Sequence, residues 1–234
     1  MIRRIANRDF KTAGKWASML GLGPAHRLSG KPMKIALIGA TGNVGSRVLA
    51  ELVRRGHSVL ALVRHPERVP VQSGVTAKQV DANDLKSLRA LLTGVDAVVS
   101  AVKFKDTDTA GLIQAVRQAG VKRYLVVGGA GSLFIAPNLR EVDGPNFPPH
   151  VRPEALKGGE FLEQLRASDL DWTFLSPSRV FFAGERTGSF RHGTDDLLVD
   201  TAGKSSISFE DYAVALVDEL ERPKNLRRRF TVGY

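Results

Sequence analysis

Three glycines at three-residue spacing, Gly39, Gly42 and Gly45, stand between an apolar run, Ile35 to Ile38, and a segment carrying Val44, Val48, Leu49, Leu52 and Val53 on one helical face. Glycine lets a chain turn sharply and lets a ligand approach the main chain, while a helix N-terminus offers free N–H groups and the positive end of a dipole. A buried strand, a glycine turn and a helix in immediate succession therefore make a cradle for a pyrophosphate. The spacing is G-x-x-G-x-x-G rather than the commoner G-x-G-x-x-G, but the strand before and the helix after supply the context such a motif needs. The expected ligand is a dinucleotide; a turn needing its glycines for shape alone is the alternative.

The residue that reads the adenosine ribose stands at the end of the next strand, where an acid accepts both hydroxyls and a base welcomes a 2′-phosphate. Here Ser58 to Val63 reads as that strand, and Arg64 follows directly, with His65 and Arg68 behind it and no acid before Glu67. Guanidinium matches phosphate in charge and geometry. NADPH is therefore expected over NADH, against the plainer reading of Arg64 as one more exposed arginine.

The elements that position these residues follow from the rest of the pattern. After the second strand come a short third closing at Gln79 to Asp81, a helix from about Asp84 to Leu92, a strand Asp96 to Val102, a helix Thr109 to Ala119, and a strand Arg123 to Val127. Helices of this length between strands mean parallel pairing by right-handed crossovers, hence an α/β doubly wound sheet with its ligand at the carboxyl ends of the strands. From Leu133 to Pro153 the pattern gives way to a proline-rich irregular loop, expected near the nicotinamide end of a bound cofactor. A helix Glu154 to Ser168, a strand Trp172 to Leu175, a hairpin within Phe190 to Val199 turning at His192-Gly193-Thr194, a helix Phe209 to Leu220 and a strand Phe230 to Val232 complete the chain. No repeat or second domain shows, so residues 33–234 are read as a single domain.

Composition bounds the chemistry. The 234 residues contain no cysteine, which excludes disulfides, thiolate nucleophiles and cysteine-bound clusters, so redox chemistry must come from a borrowed cofactor. The five histidines, at 26, 57, 65, 150 and 192, show no metal-ligand spacing and read as surface or loop residues. No apolar run approaches the roughly 20 residues needed to span a bilayer. Of the net charge of +10, residues 1–32 hold +6, leaving a body too mildly basic for nucleic acid. That N-terminal stretch admits three readings: a targeting segment built on Arg3-Arg4 and Trp16 to Leu22, an amphipathic helix on an acidic surface, or a loosely held extension, the last being preferred. A cytoplasmic monomer or homodimer acting on a small molecule is expected.

GATGNVGSRV (39–48), VRHPER (63–68), VDANDL (80–85), VVSAV (98–102) and VVGGAGSL (126–133) together resemble the atypical short-chain dehydrogenase/reductases. The chain is most similar to the bacterial NADH-flavin reductase group of the NmrA-like proteins, relatives of mammalian flavin/biliverdin-IXβ reductase. PEALKGGEFLEQLRASDLDWTFLSP (153–177), ISFEDYAVALVDELERP (207–223) and the terminal RRFTVGY fit the same group, so the resemblance runs from Met33 to Tyr234. It implies an NAD(P)-binding Rossmann fold whose cofactor set comprises Gly39, Thr41, Gly42, Asn43 and Val44 at the turn, beside Arg64. Asp81 would face the adenine, Ala101 and Val102 the ribose, and Gly128, Gly129, Pro177 and Ser178 the nicotinamide, with Ala82 also in the cofactor set. For Asp81 a helix cap is the alternative role.

A departure from that larger family decides the expected reaction. Ketone reduction requires a proton on a developing alkoxide, commonly from a Tyr-x-x-x-Lys pair. None of Tyr124, Tyr212 and Tyr234 has lysine four residues later, and the Tyr-Lys often found before Pro-Glu-Ala in the flavin-reductase group is Val151-Arg152 here. Hydride transfer to a flavin, FMN or FAD as substrate, or to a quinone asks mainly for proximity and a flat apolar slot. Phe134, Phe147, Phe181 and Phe182 could form that slot, with core packing as their ordinary role. His150 and Arg152 could hydrogen-bond an anionic acceptor or stand as solvated loop residues, and Ser132 is a further candidate beside ordinary turn chemistry. Two other functions stay open: a redox-sensing module that binds NADP(H) without turnover, and an epimerase or dehydratase, whose usual tyrosine is also missing.

Overall fold

The computed structural model describes residues 31–234, so the three readings of the basic N-terminal stretch lie almost wholly outside the described residues. Strand β1 (Lys34–Ile38), helix α1 (Asn43–Arg54) and strand β2 (Ser58–Val63) form the first unit. They are followed by β3 (Val75–Gln79), α2 (Leu85–Leu92), β4 (Ala97–Ser100), α3 (Thr109–Gln118) and β5 (Arg123–Val127). Next come the short strands β6 (Phe134–Ala136) and β7 (Leu139–Arg140), then α4 (Arg152–Arg166) and β8 (Asp171–Ser176). The chain closes with β9 (Val180–Phe182), β10 (Arg191–Gly193), β11 (Ser206–Ser208), α5 (Phe209–Glu221) and β12 (Arg228–Gly233).

Eight strands form the main sheet in the order β10-β12-β8-β5-β4-β1-β2-β3, all parallel except β10. The order reverses direction between β1 and β4, and in such sheets the crevice at that reversal, outside the carboxyl ends, is where a ligand sits. Side-chain alternation along β1 shows why both faces must be covered. Ile35 and Leu37 pack into one buried cluster with Val48 and Leu52 of α1 and Leu216 of α5. Ala36 and Ile38 join the other, with Leu88 of α2, Leu112 of α3 and Phe161 of α4. A strand buried on both faces reads as a continuous apolar run, which is how β1, β2 and β5 were legible.

Two expectations need correction. The stretch from Leu133 to Pro153 is not wholly irregular: β6 and β7 pair antiparallel, and two 3-10 turns, Glu141–Asp143 and Pro149–Val151, lead into α4. The Phe190 to Val199 hairpin does not form. Arg191–Gly193 pairs antiparallel with β12 instead, while the backbone beyond it bonds to β6, where Leu197 N–H donates to the Phe134 carbonyl at 2.8 Å. His57 stands in the loop between α1 and β2, as expected, yet is only 3% exposed; it accepts the Met33 N–H at Nδ1 (3.2 Å) and donates from Nε2 to Glu221 (3.1 Å).

Candidate functional site

The three glycines of the first turn do different jobs. Gly39 has φ +85°, and a Cβ built on it would lie 2.3 Å from the Ala101 carbonyl oxygen, so the exits of β1 and β4 meet backbone to backbone. A Cβ on Gly45 would lie 2.1 Å from the Gly39 carbonyl oxygen, which is how closely α1 packs on the turn. At Gly42 the nearest such contact is 3.4 Å, leaving that face open. Gly42 also caps α1, with no side-chain hydrogen bond and no acid in the first turn, whereas α2, α3 and α5 are capped by Asp84, Asp108 and Ser208. The first-turn N–H groups of Asn43, Val44 and Gly45 thus lack a competing oxygen, and Thr41, Gly42 and Asn43 are exposed beside them. An open cradle and an uncapped helix fit a pyrophosphate.

Arg64 follows β2 directly and is exposed; its carbonyl accepts the Gln79 side-chain amide at 3.2 Å, and among the described residues its guanidinium has no acidic partner. His65 pairs with Glu67 at 3.2 Å. Asp81 is exposed, and its carboxylate accepts the Asn83 N–H at 2.8 Å, so the cap of α2 falls to Asp84 and not to Asp81. Ala82, Ala101 and Val102 are half-buried and rest on the core clusters at the ends of β3 and β4.

On the other side of the crevice Gly128 follows β5, and its N–H donates to the Leu175 carbonyl at 2.8 Å. Beyond Gly129 opens a cleft of about 470 Å³, walled by Phe104, Ile135, Phe147 and Val151, with Glu141, Glu154 and Arg179 as its charged members. Phe104 stacks on Phe174 and meets Phe161 edge-on, with ring centres 6.4 and 5.9 Å apart. Glu154 at the start of α4 accepts the N–H groups of Phe104 and Lys105 at 2.7 and 3.0 Å, fastening the 3-10 turn Phe104–Asp106 to the helix. Sequence reasoning missed Phe104, Glu141, Glu154 and Arg179. The readable signals were Phe104 just beyond the strand at the sheet's reversal and Glu154 opening a helix.

Several expected site residues stand elsewhere. The Ser132 hydroxyl and carbonyl both accept from Arg229, at 2.9 and 2.8 Å, so this serine anchors β12 to the turn rather than facing the cleft. Ser178 is buried and its hydroxyl donates to the Val232 carbonyl at 2.9 Å, with Pro177 buried beside it. Phe181 packs on Phe209 and Tyr212 in the core, and Phe134 lines a neighbouring, larger cleft. Phe182, 39% exposed, lines neither. His150 is exposed on its 3-10 turn, outside the cleft lining, while Arg152 lies over the Phe147 ring at 5.9 Å.

The tyrosines are locked away. The Tyr124 hydroxyl pairs with Ser100 at 2.9 Å, and Tyr212 donates to the Leu175 carbonyl at 2.5 Å, both fully buried. Burial pushes both phenols far above their ordinary value, although the bonds to Ser100 and from Gly128 pull the other way. Tyr234 donates to Asp211 at 2.8 Å. No phenol lines the cleft. Among the described residues no group of His, Asp and Glu could hold a metal, and no helix is long and apolar enough to cross a membrane.

Comparison with known proteins gives four findings. The sequence model of a family described as NAD(P)H-binding matches residues 39–223. The uncharacterized protein YwnB of Bacillus subtilis is 41% identical over 208 residues, covering 86% of this chain and 98% of that one. Among solved structures, a candidate epimerase from Bacteroides thetaiotaomicron is 45% identical with a TM-score of 0.82, over 87% of this chain and 98% of its own. A candidate NADH-flavin reductase from Streptococcus pneumoniae is 35% identical with a TM-score of 0.72, over 86% and 99%.

Proposed function

The chain belongs to the NAD(P)H-binding family, among the atypical short-chain dehydrogenase/reductases, and from that premise we propose that it reduces a flavin or quinone with NADPH. The observation that carries this reading is the pairing of an aromatic and apolar cleft beside Gly129 with three tyrosines whose hydroxyls are all engaged elsewhere. Carbonyl reduction needs a proton donor at the reacting oxygen, whereas a flavin or quinone delocalises the incoming charge and takes its proton from water. The same engagement of the tyrosines weighs against an epimerase or dehydratase. When bound, the reduced nicotinamide supplies the hydride. The turn of Gly39, Gly42 and Gly45 holds the pyrophosphate, Arg64 the 2′-phosphate, and Phe104, fixed by Glu154, one wall of the slot. FMN or FAD enters as substrate, and a cytoplasmic monomer or homodimer is part of the same proposal. Steady-state oxidation of NADPH with free FMN or a small quinone tests it. Tight binding of NADPH without turnover of either would instead favour a redox-sensing module.

Two further outcomes follow. Arg64→Ala weakens NADPH by about 10- to 100-fold, the loss of a charge-assisted contact, and leaves NADH nearly unchanged. Equal losses in paired fluorescence titrations would remove the 2′-phosphate assignment. Turnover with a quinone is flat across neutral pH, and His150→Ala stays within about tenfold of the native rate, because losing a true proton donor costs about 10²–10⁴. A thousandfold drop there would make His150 a general acid and return carbonyl substrates to contention.

A further inference from the structure

Arg179, three residues beyond β8, stands in the wall shared by the cleft beside Gly129 and the larger, open cleft of about 700 Å³ lined by Phe134, Pro137 and Leu197. Its position is fixed at two levels. The backbone N–H donates to the Ser205 hydroxyl at 3.1 Å, and the guanidinium grips Glu141 with Nε and Nη2 at 2.6 and 2.8 Å. The Glu141 side chain is 8% exposed and that of Arg179 46%, so the carboxylate is interior while the guanidinium fronts open space. This grip leaves Nη1 without a hydrogen-bond partner among the described residues. A planar guanidinium held along one edge presents its remaining donors in a fixed direction.

We infer that Arg179 is a catalytic residue of the reductase, its Nη1 donating to the acceptor oxygen that gathers negative charge as hydride arrives. The inference rests on the proposed function. In this step the acceptor gains a hydride from the reduced nicotinamide, whose C4–H bond breaks with both electrons leaving. The nicotinamide is oxidised, and a quinone becomes a hydroquinone monoanion that takes its proton from water. A donor already in place where charge develops stabilises the transition state without reorganising. Glu141 also sets the substrate class. Its charge offsets that of Arg179, so the pair has little net attraction for a ligand that arrives as an anion. A neutral carbonyl that becomes an oxyanion during the reaction gains most, which favours a quinone over a phosphate-bearing flavin.

The test is NADPH oxidation by the full chain with menadione as acceptor. Arg179→Gln lowers kcat by about 100-fold, in line with loss of one oxyanion donor, and changes KM for menadione by less than about threefold. The Kd for NADPH stays at its native value, while the Tm falls by a few degrees because the interior Glu141 loses its cation. Arg179→Lys, which keeps a cation but not the fork, recovers kcat to within about tenfold of native. If the glutamine variant does not fold, the lysine variant decides: a tenfold lower kcat at native NADPH affinity supports the role, and a native kcat overturns it. A folded Arg179→Gln enzyme with kcat within about threefold of native overturns the inference while leaving the reductase intact. Parallel losses of Tm, NADPH affinity and kcat reduce Arg179 to a structural clamp. Absence of menadione and FMN turnover in the native chain overturns the reductase reading itself, and the Arg179 role with it.

Discussion

Gly45→Ala lowers affinity for NADPH by about a thousandfold, the equivalent of two charge-assisted hydrogen bonds. The added Cβ would lie 2.1 Å from the Gly39 carbonyl oxygen and 2.9 Å from its carbon, both backbone atoms that no rotamer change can move aside. Helix α1 must then lift off the turn, and the N–H groups at its start withdraw from the place a pyrophosphate occupies. Overpacking of this kind costs about 1–3 kcal/mol of stability, so the Tm falls by several degrees as well. Gly42→Ala is the control. Its Cβ meets only the Gly39 oxygen at 3.4 Å, and its φ of −73° suits alanine, so the fold keeps its Tm while the methyl group occupies the open face and binding alone suffers. Binding of NADPH to Gly45→Ala within about tenfold of native, by titration calorimetry, would refute the cradle assigned to this turn.

The second large effect lies away from the crevice. Glu51 is 4% exposed on α1 and accepts hydrogen bonds from Arg54, Arg55 and Arg186, five in all, between 2.7 and 3.1 Å. Arg55 continues the network to Asp218 and Glu221 of α5 at 2.6 and 2.8 Å, so α1, α5 and the segment after β9 share one charge cluster. Removing Glu51 takes the carboxylate from the half-exposed Arg54 and Arg186 and leaves the buried Arg55 with Asp218 and Glu221, so Glu51→Ala is expected to cost about 2–3 kcal/mol. Urea denaturation reads this as a fall in midpoint at constant slope. The pH dependence has a definite sign. Burial raises the Glu51 carboxyl, but the hydrogen bonds from Arg54, Arg186 and Arg55 outweigh it and hold the folded-state value well below the ordinary 4.5. A lowered folded-state value means the stabilisation is complete above about pH 4.5 and is lost progressively as pH falls toward the folded-state value. Glu51→Gln, having no proton to take up at this position, should lose stability less steeply over that range. Equal acid slopes for native and variant chains would count against the assignment.

The strand, glycine turn and helix proposed to hold the cofactor were legible as structure because their information is local. The first strand, the glycine turn and the first helix occupy one continuous stretch, and Arg64 follows the next strand directly. A strand buried on both faces must be apolar throughout and a helix must show its stripe, so β2 and β5 begin and end where the residue pattern places them. The three-residue strands β6, β9, β10 and β11 were not legible, since three residues carry no period. Nor could the sequence say which polar residues were spoken for. Ser132 has the look of a site residue after its glycines, but Arg229, 97 positions later, takes its hydroxyl, and Val232 takes that of Ser178. The side proposed for the acceptor was decided only in three dimensions. Its cleft draws on the turn after β4, the loop after β5, the start of α4 and the segment after β8. Arg179 joins the lining of that cleft with one guanidinium edge held by Glu141, 38 residues earlier. Local sequence therefore determined the sheet and its glycine turn, whose geometry depends on neighbours in the chain. Loop packing between distant segments decided which side chains line the cleft beside Gly129, because a buried hydroxyl or carboxylate bonds to whichever partner the fold brings within reach.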